Sequence, residues 1–405
     1  MPSYAEPMPK SFAYVLVLSA LALSACSGAG GLPQSAAGPS SLRGAPVRAE
    51  TRPTPGPAYF PNPLTVYNGV LYGTTIEGGA YGGGEVFSVT TSGAEKAVYQ
   101  FTAATFPDAA LHVVSGTIYG TSRQGGPSGD GRVFGVNAAS GKLTYEYDFS
   151  GTPDGRAPLA GLIDDGHGAM YGTTESGGSN GFGSIYSINA ATGKETVLYS
   201  FPTANGGAHP GAELRLVNGL LYGTTLQGGS FTDGTVFSYD RSNGTIRIIY
   251  SFEGYHDGSV PAGAVTYVNG KLFGATLYGG GGTACGAGCG IVYSIDPATG
   301  GETVLHRFVQ SDGATPDSGL TLYNGKLYGS TMGGGQGYGT IYSVDPKTGV
   351  VSSLYDFKGS DGTRPEDLVI DGGHLYGSAQ QGGSNGRGTI FRYDPPAKVT
   401  PIYNF

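Results

Sequence analysis

Four Asp-Gly pairs, Asp154-Gly155, Asp257-Gly258, Asp312-Gly313 and Asp361-Gly362, recur along the chain with Arg156, His209, His256 and Arg364 close by. A ring of such carboxylates could hold a cation such as calcium, which takes oxygen ligands. Asp-Gly ahead of Pro is also ordinary turn chemistry, because Asp bonds nearby backbone and Gly accepts positive φ. The turn is the favoured reading, so no metal site and no cofactor are expected. A second set is aromatic: Tyr81, Phe182, Phe231, Tyr278 and Tyr338 stand in Gly-rich stretches. Rings exposed there could stack on sugars or on a protein partner, or could simply cover neighbouring loops. Gly335-Gln336-Gly337-Tyr338-Gly339 has a nucleotide-loop look, but no strand-loop-helix context surrounds it to supply a phosphate-binding helix end. Cys285 and Cys289 share one long loop, where a local disulfide is the leading reading for an exported chain; zinc would need further ligands. No nucleophile-elbow motif occurs, and no Ser, His and Asp set recurs at a telling spacing, so no catalytic residue is assigned.

The elements that must position these residues come from a repeat. Leu71-Tyr72-Gly73 returns as Ile118-Tyr119-Gly120, Met170-Tyr171-Gly172, Leu221-Tyr222-Gly223, Leu272-Phe273-Gly274, Leu327-Tyr328-Gly329 and Leu375-Tyr376-Gly377, at intervals of 47, 52, 51, 51, 55 and 48 residues. A Tyr-x-Phe marker closes each unit, from Tyr99/Phe101 to Tyr403/Phe405, with His306 in place of Tyr beside Phe308. His306 is expected to be a core residue with a satisfied ring nitrogen.

Three turn chemistries divide each unit into four short strands. Asn68-Gly69, Asn218-Gly219, Asn269-Gly270 and Asn324-Gly325 suit a two-residue type I′ hairpin. A Gly-rich loop follows the second strand. Asp296-Pro297-Ala298-Thr299-Gly300 and Asp345-Pro346-Lys347-Thr348-Gly349 suit a type I turn before the fourth. Four antiparallel strands in a period near fifty describe a propeller blade. The fold class is therefore all-β: a seven-bladed β-propeller over residues 61–405 with kelch-like strand order. In this strand order the Gly-rich loops and the blade connections share one face, where a binding site is expected. The Gly of Leu-Tyr-Gly is expected to permit a bulge or the close approach of the next blade. Seven complete blades leave no exchanged strand to close the ring, although Ala58-Tyr59-Phe60 could pair beside the last blade.

Units of the form LYGTT, Gly-rich loop, GTIYSxDPxTG, LYxF and DGxxP resemble the GloVer tandem-repeat family of bacterial secreted proteins, whose members carry differing surface anchors. The resemblance covers residues 61–405. It implies a repeat-built exported protein and no particular activity. Blade two departs from the pattern at Thr121-Ser122, and blade one lacks the Asp-Gly pair.

The apolar run Phe12–Leu23 after Lys10 reads as a secretory signal, too short to span a bilayer. It ends in Leu23-Ser24-Ala25-Cys26, which resembles a lipoprotein lipobox. Residues 1–25 are expected to be the signal, Cys26 to carry the lipid, and residues 26–60 to form a disordered tether. Ser27, rather than Asp, points to an outer-membrane lipoprotein facing the periplasm or the cell surface. A net charge of -8, with no basic stripe, gives no nucleic-acid footprint. With 75 Gly and only 13% charged residues, helices are disfavoured. The expected function is a monomeric binding or interaction module for a glycan or an envelope protein, touching the membrane only through its lipid. The alternative is an envelope enzyme acting on a glycan or lactone at the loop-bearing face.

Overall fold

The glycine of each Leu-Tyr-Gly triplet decides how a blade packs. In the computed structural model, which describes residues 56–405 apart from 103–104, 283–284 and 397, this glycine lies in the second strand opposite an aromatic residue of the third. Gly73 pairs with Phe87, Gly120 with Phe134, Gly172 with Tyr186, Gly223 with Phe237, Gly274 with Tyr293, Gly329 with Tyr342 and Gly377 with Phe391. Each ring folds over its glycine: a Cβ on Gly223 would stand 2.5 Å from the Phe237 ring and 2.8 Å from Leu214. The close approach is thus made by the blade's own third strand, not by the next blade. The bulge lies elsewhere too, between the third and fourth strands, at the Val236/Phe237 step in blade four and at the matching step of every other blade.

Seven four-stranded antiparallel sheets result, each in chain order. Blade four shows the pattern: Arg215–Val217, Leu220–Thr225, Thr235–Asp240 and Thr245–Ser251. Asn218 and Gly219 both take positive φ, 49° and 86°, as a type I′ turn requires. On the next turn type, Asp296 caps its loop by accepting the Ala298 N–H at 2.8 Å. Among the described residues the only helix is one 3-10 turn, Ala204–Gly206, so no helix there is long and apolar enough to cross a membrane.

Blade one carries an additional piece, Gly56–Pro61, which begins inside the segment expected to be tether. It pairs with Val70–Gly79, as Thr65–Tyr67 also does, so it is the leading half of the first strand; blade seven has both halves joined as Thr363–Asp371. Tyr59 therefore pairs with Glu77 in blade one; toward the last blade this piece forms no strand ladder, but Phe60 N–H donates to Arg387 C=O of blade seven at 3.3 Å. The signal segment, Cys26 and the tether up to residue 55 lie outside the described residues.

The ring closes by repeating the joint used between every other pair of blades. The Phe of Tyr-x-Phe meets the third-strand aromatic of the next blade edge-on: Phe101 on Phe134 at 4.9 Å, Phe252 on Tyr293 at 5.1 Å and, at the closure, Phe405 on Phe87 at 5.0 Å. Around Phe405, Leu64, Leu71 and Val89 of blade one pack with Tyr376 and Ile390 of blade seven. Hydroxyl groups stitch the second strand to the next inner strand: Ser330 Oγ donates to Pro365 C=O at 2.9 Å, and Ser378 Oγ donates to Asn62 C=O at 2.8 Å across the closure. Tyr403 of the last strand also donates to Glu95 of blade one at 3.3 Å. Among the described residues no strand is exchanged. First strands of neighbouring blades touch, including those of blades seven and one, which places them innermost, around the axis.

Candidate functional site

Antiparallel order sends the loops between second and third strands, and the connections between blades, to the same end of the ring. The Asp-Gly pairs lie there but inside the turns. Tyr147 donates to Asp154 at 2.6 Å and Tyr250 to Asp257 at 2.5 Å; Tyr355 donates to Asp361; His306 Nε2 lies 3.0 Å from Asp312. The other carboxylate oxygen accepts backbone N–H, from Ser150, Glu253, Val309 and Lys358 in turn. Asp154, Asp257 and Asp361 are buried. These carboxylates hold the repeat tyrosine to the blade connection and present little to a ligand.

Each connection then enters the axis through one non-glycine residue with positive φ, immediately before a proline. Phe60, Phe106, Ala157, His209, Val260, Thr315 and Arg364 take φ between 47° and 61°. Such a conformation costs on the order of 1–3 kcal/mol, and neighbouring blades hold it in place. The N–H groups of Phe60, Ala157, His209, Val260, Thr315 and Arg364 donate to carbonyls of the preceding blade's Gly-rich loop. The following proline lies against the glycine that precedes that blade's third strand, 2.6 Å from a Cβ built on Gly339 or Gly388. His209 and Arg364 are thus two of seven equivalent joint residues. His209 Nδ1 lies 3.0 Å from Glu175 C=O, and its ring meets Phe182 edge-on at 6.4 Å.

Just beyond these prolines stand five acids the sequence reading did not single out: Asp108, Glu213 and Asp317 in the segments that lead into the inner strands, and Glu366 and Asp367 within that of blade seven. Each is half-buried, and their charges act on one another, Asp108 on Asp317, Asp317 on Glu366 and Asp367, and Asp367 on Glu213. Burial, reinforced by neighbouring carboxylates, pushes Asp317 and Asp367 up to about 6 and Glu213 up to about 7. Burial with Asp317 and Asp367 nearby holds Glu366 well above the ordinary carboxyl range, and burial also raises Asp108. Arg364 opposes the rise at Asp317 and Glu366, Arg123 at Asp108 and Arg215 at Glu213. Asp367 accepts the Gly319 N–H at 2.6 Å, and Glu213 reaches over Gly161 of blade three, 2.7 Å from where a Cβ would stand. Among the described residues no three His, Cys, Asp or Glu side chains are grouped to hold a metal ion. A signal was available: the residue after the joint proline is Asp or Glu in three of the seven blades, Asp108, Asp317 and Glu366.

The rim of this face is aromatic. Tyr81, Phe231, Tyr255 and Tyr338 are 45%, 50%, 58% and 42% exposed, while Phe182 and Tyr278 are half-buried. Tyr255 stands in the connection from blade four to five and was not singled out; its hydroxyl donates to Gly281 C=O at 3.0 Å. Tyr278 pairs with Ser259 across the connection, and its hydroxyl feels the charge of Asp317. Arg156 is exposed, with Nε 3.3 Å from Ser176 Oγ; His256 is exposed, and its carbonyl accepts Arg307 Nη2 at 3.2 Å. Cys285 and Cys289 are joined by a disulfide in the longest loop of the face, with Cα atoms 5.1 Å apart.

The Gloeobacter/Verrucomicrobia repeat matches the chain twice, over residues 59–287 and 282–405. The chain belongs to this repeat family. No curated protein matches the sequence. Among solved structures, this member of the repeat family is similar to the Niastella koreensis GH74 enzyme, with TM-score 0.54 and 12% identity, covering 84% of this chain and 53% of that one. It is also similar to a puromycin-hydrolysing peptidase of Mycobacterium tuberculosis, with TM-score 0.54 and 13% identity over 88% of this chain and 56% of that one. A third similar structure is the extracellular domain of a one component system protein from B. thetaiotaomicron, with TM-score 0.54 and 11% identity over 83% of this chain and 39% of that one. The repeat-family chain spans 39% to 56% of the length of these three structures. At such identities the likeness is one of fold.

Proposed function

We propose that this chain is an exported binding module whose ligand docks on the loop-bearing face, over the axial carboxylates. The observation that supports the reading is the meeting, on one face, of exposed Tyr81, Phe231, Tyr255 and Tyr338 with five half-buried acids. Flat exposed rings around a polar centre suit stacking on sugars, or an envelope protein's surface, more than they suit a fold left to itself. Retention of the full chain on insoluble cell-wall polymers and exported glycans tests it. Phe231→Ala with Tyr338→Ala is expected to lower retention about ten-fold, the effect of losing one or two stacked rings; retention unchanged in the double variant, or no retention on any such material, counts against it.

Anchoring completes this reading: a lipid on Cys26 would hold a monomeric propeller to the outer membrane, facing the periplasm or the cell surface. Cys26→Ser is expected to move the protein from the membrane to the soluble fraction, and unchanged membrane retention would remove the anchor.

A second reading, an envelope enzyme acting on a glycan or lactone, is favoured by one observation: Asp317, Glu366 and Asp367 are near enough for their charges to act on one another. Glycoside hydrolysis uses such a pair, one protonated as acid and one ionised. Glu366→Gln and Asp367→Asn should then abolish product release from exported glycans, and to a greater extent than they lower retention. Absence of any product from the unaltered chain would remove this reading.

A further inference from the structure

Glu95, Glu195 and Glu302 occupy one register position in the fourth strands of blades one, three and five, opposite Val89, Ile188 and Ile295 of the third strands. The same position holds Leu143, Ile246, Val351 and Val399 in the other four blades. An aliphatic side chain therefore satisfies the packing there, and burying a carboxyl in its place is costly unless it is hydrogen-bonded. At the ring closure it is bonded: Tyr403 of blade seven donates to Glu95 Oε2 at 3.3 Å. The position thus reaches the Tyr-x-Phe tyrosine of the preceding blade.

Ahead of blades three and five the tyrosine's hydrogen is already committed, Tyr147 to Asp154 at 2.6 Å and Tyr250 to Asp257 at 2.5 Å. One carboxylate oxygen of Glu195 and one of Glu302 are buried with no hydrogen-bond partner among the described residues. The charge of Glu195 acts on Tyr147 and Tyr186, and Asp154 repels it. The charge of Glu302 acts on Tyr250 and Tyr293; Asp257 repels it and Arg307 attracts it. The hydroxyls of Tyr186 and Tyr293 lie over Gly172 and Gly274 of their own blades, which leaves Tyr147 and Tyr250 as the partners across the joints.

An ionised carboxylate only accepts hydrogen bonds, whereas a protonated carboxyl also donates one. A tyrosine oxygen whose hydrogen is used elsewhere can still accept. Facing Tyr147 or Tyr250, the ionised acid has no donor to offer, and the protonated acid completes a chain from Glu through Tyr to Asp. Burial, reinforced by Asp154 or Asp257, raises Glu195 and Glu302 to about 7, against about 4 in the unfolded chain. The folded joint therefore takes up this proton as pH falls through about 7 and releases it as pH rises again.

We infer that Glu195 and Glu302 are proton-operated latches between blades, closed in mild acid by donation to Tyr147 and Tyr250 and open in mild base. The latch of blade five bears on the loop-bearing face, because Asp257 belongs to the connection that carries exposed Tyr255 and His256. Arg307, from the strand of Glu302, donates to the His256 carbonyl of that connection at 3.2 Å.

Hydrogen exchange of the full chain at pH 6 and pH 8, corrected for the intrinsic rate at each pH, tests the inference. Residues 150–154 and 253–257 are expected to exchange about five-fold more slowly at pH 6, the scale of one hydrogen bond. Residues 358–361, whose joint has Val399 at the register position, should exchange equally at both. Glu302→Gln, which donates at any pH, should make residues 253–257 slow at both. Tyr250→Phe should make them fast at both. If Tyr250→Phe fails to fold, Glu302→Ile, the residue of blade four at this position, holds the latch open and should also be fast at both. No difference in the parent chain overturns the inference. A difference that survives Glu302→Gln places the titrating group elsewhere and overturns it too. So does one that survives Tyr250→Phe, which would reduce the effect to burial of a charge, and an equal difference at residues 358–361, which would make it a property of the whole ring.

Discussion

Tyr250 donates its hydroxyl hydrogen to Asp257 across 2.5 Å, while the other oxygen of that carboxylate accepts the Glu253 N–H at 2.8 Å. The last strand of blade four is thereby tied to the connection that leads into blade five. Hydrogen bonds to a charged, buried partner contribute about 1.5–3 kcal/mol. Tyr250→Phe, which keeps the ring against Phe252, is expected to cost that amount in urea unfolding. His306→Tyr, which restores the same pair with Asp312, is expected to hold or raise stability. A Tyr250→Phe chain as stable as the parent would mean that the pair contributes nothing.

Glycine does two separate jobs in the blade, and alanine should tell them apart. Gly223→Ala would set a Cβ 2.5 Å from Phe237 and 2.8 Å from Leu214, so it is expected to cost at least about 1–3 kcal/mol through overpacking. Gly219, in the type I′ turn at φ 86°, has open space around it. Gly219→Ala is expected to cost only about 1 kcal/mol, from the backbone alone. Denaturant midpoints of the two variants compare them directly.

How legible were these features in the sequence? Blade number and strand number were, because Leu-Tyr-Gly and Tyr-x-Phe recur in one phase and the three turn chemistries sit between them. The chemistry of Asp257 and its equivalents was half legible: Asp-Gly reads as a turn, but its bond to the Tyr of Tyr-x-Phe needs the bulged fourth strand that brings the two together. The axial acids are hard to read because Asp108, Glu213 and Asp317 stand in irregular segments before inner strands as short as Arg215–Val217, where no alternation marks a face. Position also varies, with Asp317 one residue after its proline and Glu213 three. The leading half-strand Gly56–Pro61 reads as tether in the sequence because its Pro and Gly content masks the pairing of Tyr59 with Glu77.

Closure of the ring gives a third expectation. Phe405 and Phe252 occupy matching joints, one at the end of the chain and one in its middle, with ring contacts of 5.0 and 5.1 Å. Phe405→Ala and Phe252→Ala should each cost about 3–5 kcal/mol, and by similar amounts. A much smaller loss for Phe405→Ala would show that the closing joint is weaker than the rest.

Acidity should stabilise the ring across the mildly acid range. Burial raises Glu213, Glu85, Glu195 and Glu302 to about 7 and Asp317 and Asp367 to about 6. In the unfolded chain these groups ionise near pH 4. Between about pH 4 and pH 7 the folded state therefore binds more protons, and stability falls as pH rises through that window. Asp165, Asp240, Asp296, Asp345 and Asp394 are held below their ordinary values by hydrogen bonds or cations, so their contribution is lost only as pH falls below about 4. Heat unfolding is expected at a higher temperature at pH 5 than at pH 8, with a shallower slope in Glu213→Gln. A melting temperature that rises from pH 5 to pH 8 would reverse the sign.

The central claim is that function belongs to the loop-bearing face and its axial acids. Hydrogen exchange of the full chain, with and without the envelope polymer that retains it, tests this most directly. The expected result is slowed exchange in the Gly-rich loops around Phe231 and Tyr338 and in the connections around Asp317 and Glu366, with the turns Asp296–Gly300 and Asp345–Gly349 unchanged. Protection confined to those turns, on the opposite face, would contradict the account.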